Sequence, residues 1–309
     1  MCAETPELSI VLAIYNEEEA LHELYERITE TMKSLELSYE VVAVDDGSRD
    51  QSQTLLCELR AQDPRWRVVR LSRNFGQSAA IYAGLTLSKG RYAMMMDADL
   101  QMFPEDIPLL YEKLREGYDM VSGWRTNRKD NLFRHVMSRM LNKYIAYITG
   151  CPLHDHGCSL KGFRRAMIDR MKEFTHRCRY LPVDAAMLGG RIAEVPVRHR
   201  PRSHGKSKYG LFKLFQTAFT LITTITIMPL QAISALGILF SFAGFAMSGR
   251  VLYYRLMHGN ILMLETVVAI FFFMAGVQLF ATGLMCEYVG RIYIETQRKP
   301  LYIIEEEVE

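Results

Sequence analysis

The 309 residues contain no C-x-x-C pair, no G-x-G-x-x-G, no complete phosphate-binding loop and only two tryptophans, Trp66 and Trp124. Each lack removes a class of protein. The six cysteines, Cys2, Cys57, Cys151, Cys158, Cys178 and Cys286, show no zinc-finger spacing and are too few for a disulfide framework in a chain this long. Reduced thiols fit a cytoplasmic domain. Without G-x-G-x-x-G the dinucleotide fingerprint is gone. His204-Gly205-Lys206-Ser207 has the tail of a phosphate-binding loop, but Arg200 stands where its first glycine belongs and no apolar strand precedes it. A formal net charge of +2 excludes wholesale coating of nucleic acid. The apolar stretch from Leu8 to Tyr15 has no basic flank before it and runs into Asn16-Glu17-Glu18-Glu19, so no signal peptide is expected.

Charge is missing most conspicuously from the last third. No Asp, Glu, Lys or Arg occurs in the 36 residues from Leu214 to Gly249, or in the 21 from Thr266 to Cys286. About 20 apolar residues span a bilayer core, so Leu230–Met247 and Thr266–Cys286 are expected to form a transmembrane hairpin. Pro229 divides the longer run, and Leu214–Met228 reads as an interfacial helix. Gly237, Gly244, Gly276 and Gly283 offer small faces for helix packing. Such an anchor can also pack against copies of itself as a homo-oligomer. Lys206, Lys208 and Lys213 precede the first span and Arg291, Arg298 and Lys299 follow the second, with only Arg250 and Arg255 between. The excess of basic residues puts both termini in the cytoplasm and the loop from about Gly249 to Met263 outside. The expected domains are 1–210 in the cytoplasm, 211–229 at the interface, 230–290 in the inner membrane, and a cytoplasmic tail, 291–309.

Residues 1–210 alternate between two periodicities. Ser9–Tyr15, Tyr39–Val44, Trp66–Leu71 and Tyr92–Met96 are short β-branched or apolar runs that predict buried strands. Between them, Glu17–Leu35, Gln51–Ala61 and Ser78–Ser88 predict helices; Ala20, Leu21, Leu24, Ile28 and Met32 share one face of the first. Strand and helix in turn imply an α/β fold with a parallel sheet covered on both faces. Ligands of such sheets sit beyond the carboxyl ends of the strands. The polar signals fall there: Tyr15-Asn16-Glu17, Asp45-Asp46-Gly47-Ser48 and Asp97-Ala98-Asp99.

Asp97-x-Asp99 at a strand end can converge on one hard cation whose remaining shell comes from a substrate's phosphates, with Gln101 as a further oxygen donor. A solvated turn is the alternative, since Asp is common where strands end. Asp45-Asp46 fits an Asx-turn as well as a nucleotide contact. Arg125-x-x-Arg128-x-Asp130 suits phosphate recognition or an exposed charged loop. The dense basic stretch from Arg198 to Lys208, in an acid-free region running from Val195 to Leu264, suits anionic headgroups or a lipid-linked phosphate. His154 and His156 share a face of an extended segment, but two histidines without a third ligand make a weak metal site; they read as structural or as neighbours of an acceptor.

The ordered set of motifs resembles a known family. Ile14-Tyr15-Asn16-Glu17-Glu18, Val44-Asp45-Asp46-Gly47-Ser48, Arg73-Asn74-Phe75-Gly76-Gln77, Asp97-Ala98-Asp99-Leu100-Gln101, Asp155-His156-Gly157-Cys158, Arg202-x-x-Gly205-x-Ser207-Lys208-Tyr209 and Glu287-Tyr288-x-Gly290-Arg291 cover nearly the whole chain. Together they are similar to family 2 glycosyltransferases of the polyprenyl-phosphate sugar transferase group, with Gly157-Cys158 and His176–Pro182 leaning towards the aminoarabinose branch. Ala13 and Met102-Phe103-Pro104 depart from that pattern. The resemblance implies a Rossmann-like glycosyltransferase A domain, a nucleotide-sugar donor (UDP-linked), polyprenyl phosphate as acceptor, and contact with membrane lipids. It implies that Ala13, Tyr15, Asn16, Glu17, Asp45, Asp46, Asn74, Gly76, Gln77, Asp97, Ala98 and Asp99 line the donor site. Asp97, Asp99 and Gln101 would hold Mg2+ or Mn2+, while Arg125, Arg128, Arg202, Ser207 and Lys208 would meet the acceptor phosphate. Asp97, Asp99, Arg125 and Asp155 would carry the catalysis, giving a sugar-lipid for cell-envelope glycan or lipid A modification. A processive synthase would need Gln-x-x-Arg-Trp near the membrane, which neither tryptophan supplies. A non-catalytic nucleotide-binding scaffold is the other reading, against which the intact Asp97-x-Asp99 counts.

Overall fold

Val, Ile and Leu alternate sides along the first strand, and each side finds its own core. The computed structural model describes residues 5–126, 150–151, 153–173, 180–200, 264–297 and 299–308, with isolated positions at 143–147 and 230–257. In β1 (Leu8–Ile14), Leu8, Ile10, Leu12 and Ile14 pack on one face of the sheet. There they meet Leu21, Leu24, Ile28 and Met32 of α1 (Leu21–Leu35), the buried stripe that helical periodicity requires. Val11 points the other way, with Val42 and Val44 of β2 (Tyr39–Asp45) and Ala80, Ile81 and Ala83 of α3 (Gln77–Leu87). Between lie α2 (Ser52–Gln62) and β3 (Trp66–Leu71). A 3-10 turn at Pro104–Asp106 and α4 (Ile107–Arg115) follow β4 (Tyr92–Asp97). The chain continues through β5 (Met120–Arg125), β6 (Lys161–Arg164), α5 (Arg165–Lys172), α6 (Leu181–Met187) and β7 (Ile192–Val197).

The small residues of α3 bring it close to the sheet. A Cβ on Gly84 would stand 2.3 Å from Val11 Cγ1 and 3.1 Å from Val44 Cγ2. Gly84→Ala is therefore expected to destabilise the fold by about 1–3 kcal/mol despite alanine's better helix propensity. Denaturant unfolding checks this, and an unchanged midpoint would contradict the packing.

The sheet has eight strands in the order β7-β5-β6-β4-β1-β2-β3-β8. It is mixed rather than wholly parallel: β6 runs antiparallel to β4 and β5, and β8 (Ile304–Val308) antiparallel to β3. So the residues read as a tail supply an edge strand. A polar row crosses the sheet to reach it. Glu40 accepts from Ser9 Oγ at 2.6 Å and from Arg67 Nη1 at 3.1 Å, and Arg67 Nη2 reaches Glu307 at 2.7 Å. Desolvation works to raise the pKa of Glu40, but these partners and the Lys89 amide hold it below the ordinary carboxylate value.

The chain forms two compact units, Met1–Lys208 with Pro300–Glu309, and Tyr209–Lys299. The second contains α7 (Leu264–Thr296), a helix of 33 residues. It exposes Val267, Ile270, Phe271, Phe273, Leu279, Phe280 and Met285. Among the described residues no helix is long and apolar enough to cross a membrane. Leu214–Met228, much of Leu230–Met247, and Arg128, Arg202, Ser207 and Lys208 lie outside the described residues.

Candidate active site

Strand register assembles the site. Ile14 pairs with Asp45 and Ala13 pairs with Asp97, so three polar loops leave the sheet side by side at the carboxyl ends of β1, β2 and β4. The first two loops are laced together. The Asn16 amide donates to Ser48 Oγ at 3.0 Å, Arg49 N donates to Asn16 Oδ1 at 2.8 Å, and Glu17 N donates to Ser52 Oγ at 3.0 Å. Asn16 takes a left-handed φ of 55°, a conformation asparagine tolerates. Beside it the Tyr15 ring stands 41% exposed, open to stacking on a base.

Asp46 has an internal role that its sequence position did not reveal. Its two carboxylate oxygens accept the amides of Phe75 and Gly76 at 2.7 and 2.8 Å. Burial raises its pKa, the two amides pull it back, and Asp45 adds to the rise. Asp46 thereby pins the loop Arg73–Gln77, against which Gly47 packs so closely that a Cβ would sit 2.7 Å from the Arg73 carbonyl carbon. Asp45, fully buried, accepts from Ser48 N at 2.9 Å and faces Arg70 Nε at 4.0 Å. Arg70 also reaches Glu305 of β8 at 3.5 Å, which ties the edge strand to this corner.

The pinned loop delivers Gln77 to Asp97, where its amide nitrogen donates to the carboxylate. Desolvation raises the pKa of Asp97, Asp99 raises it further, and Ser159, Gln77 and Lys161 counteract both. Leu100, with φ 57°, turns the chain in the left-handed region so that Gln101 N and Nε2 reach Asp99 at 3.2 and 2.5 Å. Two carboxylates that disfavour each other's charge, in an oxygen-rich loop, fit a divalent cation completed by phosphate oxygens. Gln101 turns its amide nitrogen to Asp99 and its oxygen to His199 at 3.3 Å. Among the described residues no cluster of three or more His, Cys, Asp or Glu could hold a metal alone.

Arg125 and Asp155, expected to act on substrate separately, are paired with each other. Arg125 Nε and Nη2 meet Asp155 Oδ2 and Oδ1 at 2.6 and 2.9 Å, both side chains being largely buried. A carboxylate held this way is a poor proton acceptor and a good clamp. Sequence reasoning missed Glu194, which accepts the amides of His154 at 2.8 Å and Asp155 at 3.2 Å. It also missed Lys161, a buried lysine level with Met95 of β4. Desolvation lowers the pKa of Lys161, while Cys158, Asp155 and Asp97 oppose the fall.

The start of the basic stretch is fastened to the Asp97–Gln101 loop. Arg200 N donates to Gln101 O at 2.9 Å, Met102 bridges His199, and Arg198 Nη2 meets Asp106 at 2.7 Å. Arg27, Arg198 and Arg200 lie 4.9, 4.8 and 5.4 Å from the centre of the Phe103 ring, which explains an aromatic residue in that loop. A basic segment about 100 residues from Asp99 in sequence is thus joined to the same loop.

Residues 9–171 match the family model for glycosyl transferase family 2. The chain belongs to this family. It is 39% identical over 305 residues to the undecaprenyl-phosphate 4-deoxy-4-formamido-L-arabinose transferase of Proteus mirabilis, covering 97% of this chain and 94% of that one. It is 40% identical over 303 residues to the enzyme of the same name from Edwardsiella ictaluri, covering 96% and 93%. Among solved structures it resembles glucosyl-3-phosphoglycerate synthase of Mycobacterium tuberculosis. The complex of that protein with Mn2+, UDP and glucosyl-3-phosphoglycerate gives a TM-score of 0.52 at 20% identity over 71% of this chain and 78% of that one. The complex with Mg2+ and UDP gives 0.52 at 19% over the same shares. The shared fold is the glycosyltransferase A type.

Proposed function

We propose that the protein transfers a sugar from a UDP-linked donor to undecaprenyl phosphate, inverting the anomeric centre. The observation that carries this reading is the fastening of the basic stretch to the loop of Asp97 and Asp99, which offers donor diphosphate and acceptor phosphate neighbouring places. The relatives' names supply the acceptor, and the UDP of the structural neighbours supports the donor. Tyr15 stacks on the base, and the laced loops after β1 and β2 hold the nucleoside. Asp97 and Asp99 would hold Mg2+ or Mn2+, which when bound would supply positive charge against the departing diphosphate. Asp155 fixes Arg125 at the edge of the site.

A phosphate monoester has a second pKa of about 6 and is largely a dianion at neutral pH. Its oxygen bonds to the anomeric carbon as the bond to UDP breaks, and no proton has to be removed. Arg202 and Lys208, just beyond the fastened residues, meet that dianion. A charge-assisted contact contributes roughly 1.5–3 kcal/mol, so Arg202→Ala should lower acceptor efficiency about 10- to 100-fold and leave UDP affinity unchanged. The assay is transfer at varied acceptor concentration in detergent free of anionic lipid. Wild-type acceptor kinetics there would reject the role.

The membrane hairpin belongs to the same proposal. Two uncharged runs and the exposed apolar side chains of α7 support it. Connectivity adds a constraint: residues 209–299 leave and rejoin one unit, so every crossing needs a return. With the basic residues inside, the catalytic unit faces the cytoplasm. A label near Asn260 should be reachable from outside the cell and one at Cys57 should not; the reverse pattern would refute this orientation.

A further inference from the structure

His156 is the buried group that the proposed chemistry leaves unused. Its residue is 3% exposed, and among the described residues neither ring nitrogen has a hydrogen-bond partner. The ring stacks on Tyr180, with centroids 6.0 Å apart and planes at 30°, while the Tyr180 hydroxyl donates to the His156 carbonyl at 3.3 Å. The backbone is therefore secured and the polar edge of the ring is not. Burial, then the like charge of Lys161, push its pKa down to about 4 against the pull of Asp155, so the ring is uncharged at neutral pH. Its neighbours along the chain belong to the site. Asp155 before it clamps Arg125, and Ser159 after it reaches Asp97.

A neutral imidazole presents one donor and one acceptor, and a buried polar group left unmatched demands an explanation. A phosphate oxygen only accepts and would satisfy one nitrogen. An amide or hydroxyl on a sugar can meet either one, donating to the bare nitrogen or accepting from the protonated one. We propose that His156 is a specificity-determining residue that reads a donor-and-acceptor substituent, an amide or a hydroxyl, on the sugar being transferred. This rests on the nucleotide-sugar reading above. The 4-formamido group in the relatives' names is a substituent of this kind.

Calorimetry on the full chain in detergent with Mn2+, without acceptor, tests it. The ligands are UDP, UDP-4-deoxy-4-formamido-L-arabinose, UDP-L-arabinose and the UDP-4-deoxypentose that lacks the substituent. Wild type should prefer a substituted sugar over the bare one by about 10- to 100-fold, as expected where the alternative leaves a buried polar group unmatched. His156→Phe, which keeps a ring against Tyr180, should bring that ratio close to one and leave UDP affinity intact. His156→Gln, which restores a donor and an acceptor, should recover part of it. A ratio unchanged in His156→Phe would overturn the proposal, since the nitrogens would then be met by water. Equal weakening of all four ligands would also overturn it, as the signature of a merely structural residue. Lipid transfer plays no part in these titrations, so failure of transfer would count against the acceptor reading and not against His156. Absence of any UDP-sugar binding in wild type would remove the donor reading and this proposal with it.

Discussion

Asp99→Ala is expected to cut sugar transfer by about 10^3-fold or more while the protein stays folded. Asp99 sits on a loop rather than in the sheet, and the neighbouring Gln101 is among its partners. Its loss therefore removes little packing. Asp97 keeps its contacts with Gln77 and Ser159. What disappears is one of two carboxylates able to hold a divalent cation against the diphosphate. Charge stabilisation of that kind is worth several kcal/mol, and each 1.36 kcal/mol is tenfold in rate. Transfer rate and thermal unfolding should be measured on the same preparation. Wild-type turnover, or activity that persists in chelator, would contradict the cation role of the loop.

Arg125→Ala is expected to cost stability as well as activity. Removing one partner of a buried, bidentate ion pair typically destabilises by about 3–5 kcal/mol, because the other charge is stranded. Asp155 would keep the Gly157 amide, at 3.1 Å, and the Glu194-anchored backbone, but not a countercharge that grips both of its oxygens. Replacing both partners by apolar residues of similar size, Arg125→Met with Asp155→Leu, should recover most of the stability and none of the transfer. Urea unfolding of the single and double variants gives the test. A single variant as stable as wild type would mean that the pair is a surface contact, and an active double variant would mean that it has no part in the site.

The central strands were legible because their physics is local. β1 to β4 are short apolar runs whose alternate residues serve opposite faces, and their ends carry the aspartates. Parallel pairing then places Asp45 and Asp97 beside the end of β1 without further information. Two other strands depend on partners far away in sequence. Lys161-Gly162-Phe163-Arg164 has no strand alternation and pairs only because β4 and β5 flank it. Ile304-Glu305-Glu306-Glu307-Val308 reads as a solvated acidic tail until Arg67 and Arg70 of β3 are set against it. Glu194 gave one faint signal, an acid within an apolar strand. Arg125 and Asp155 were each singled out by motif, but 30 residues of separation hid that they are paired.

Sugar transfer itself is measured most directly by incubating the full chain with Mn2+, a short-chain polyprenyl phosphate and UDP-4-deoxy-4-formamido-L-arabinose, and weighing the lipid products. One new lipid is predicted, heavier than the acceptor by one sugar residue, formed with an equal amount of UDP and absent in chelator or with Asp99→Ala. UDP released into water with no gain in lipid mass, or a lipid product that forms in chelator, would contradict the transferase mechanism built on this site.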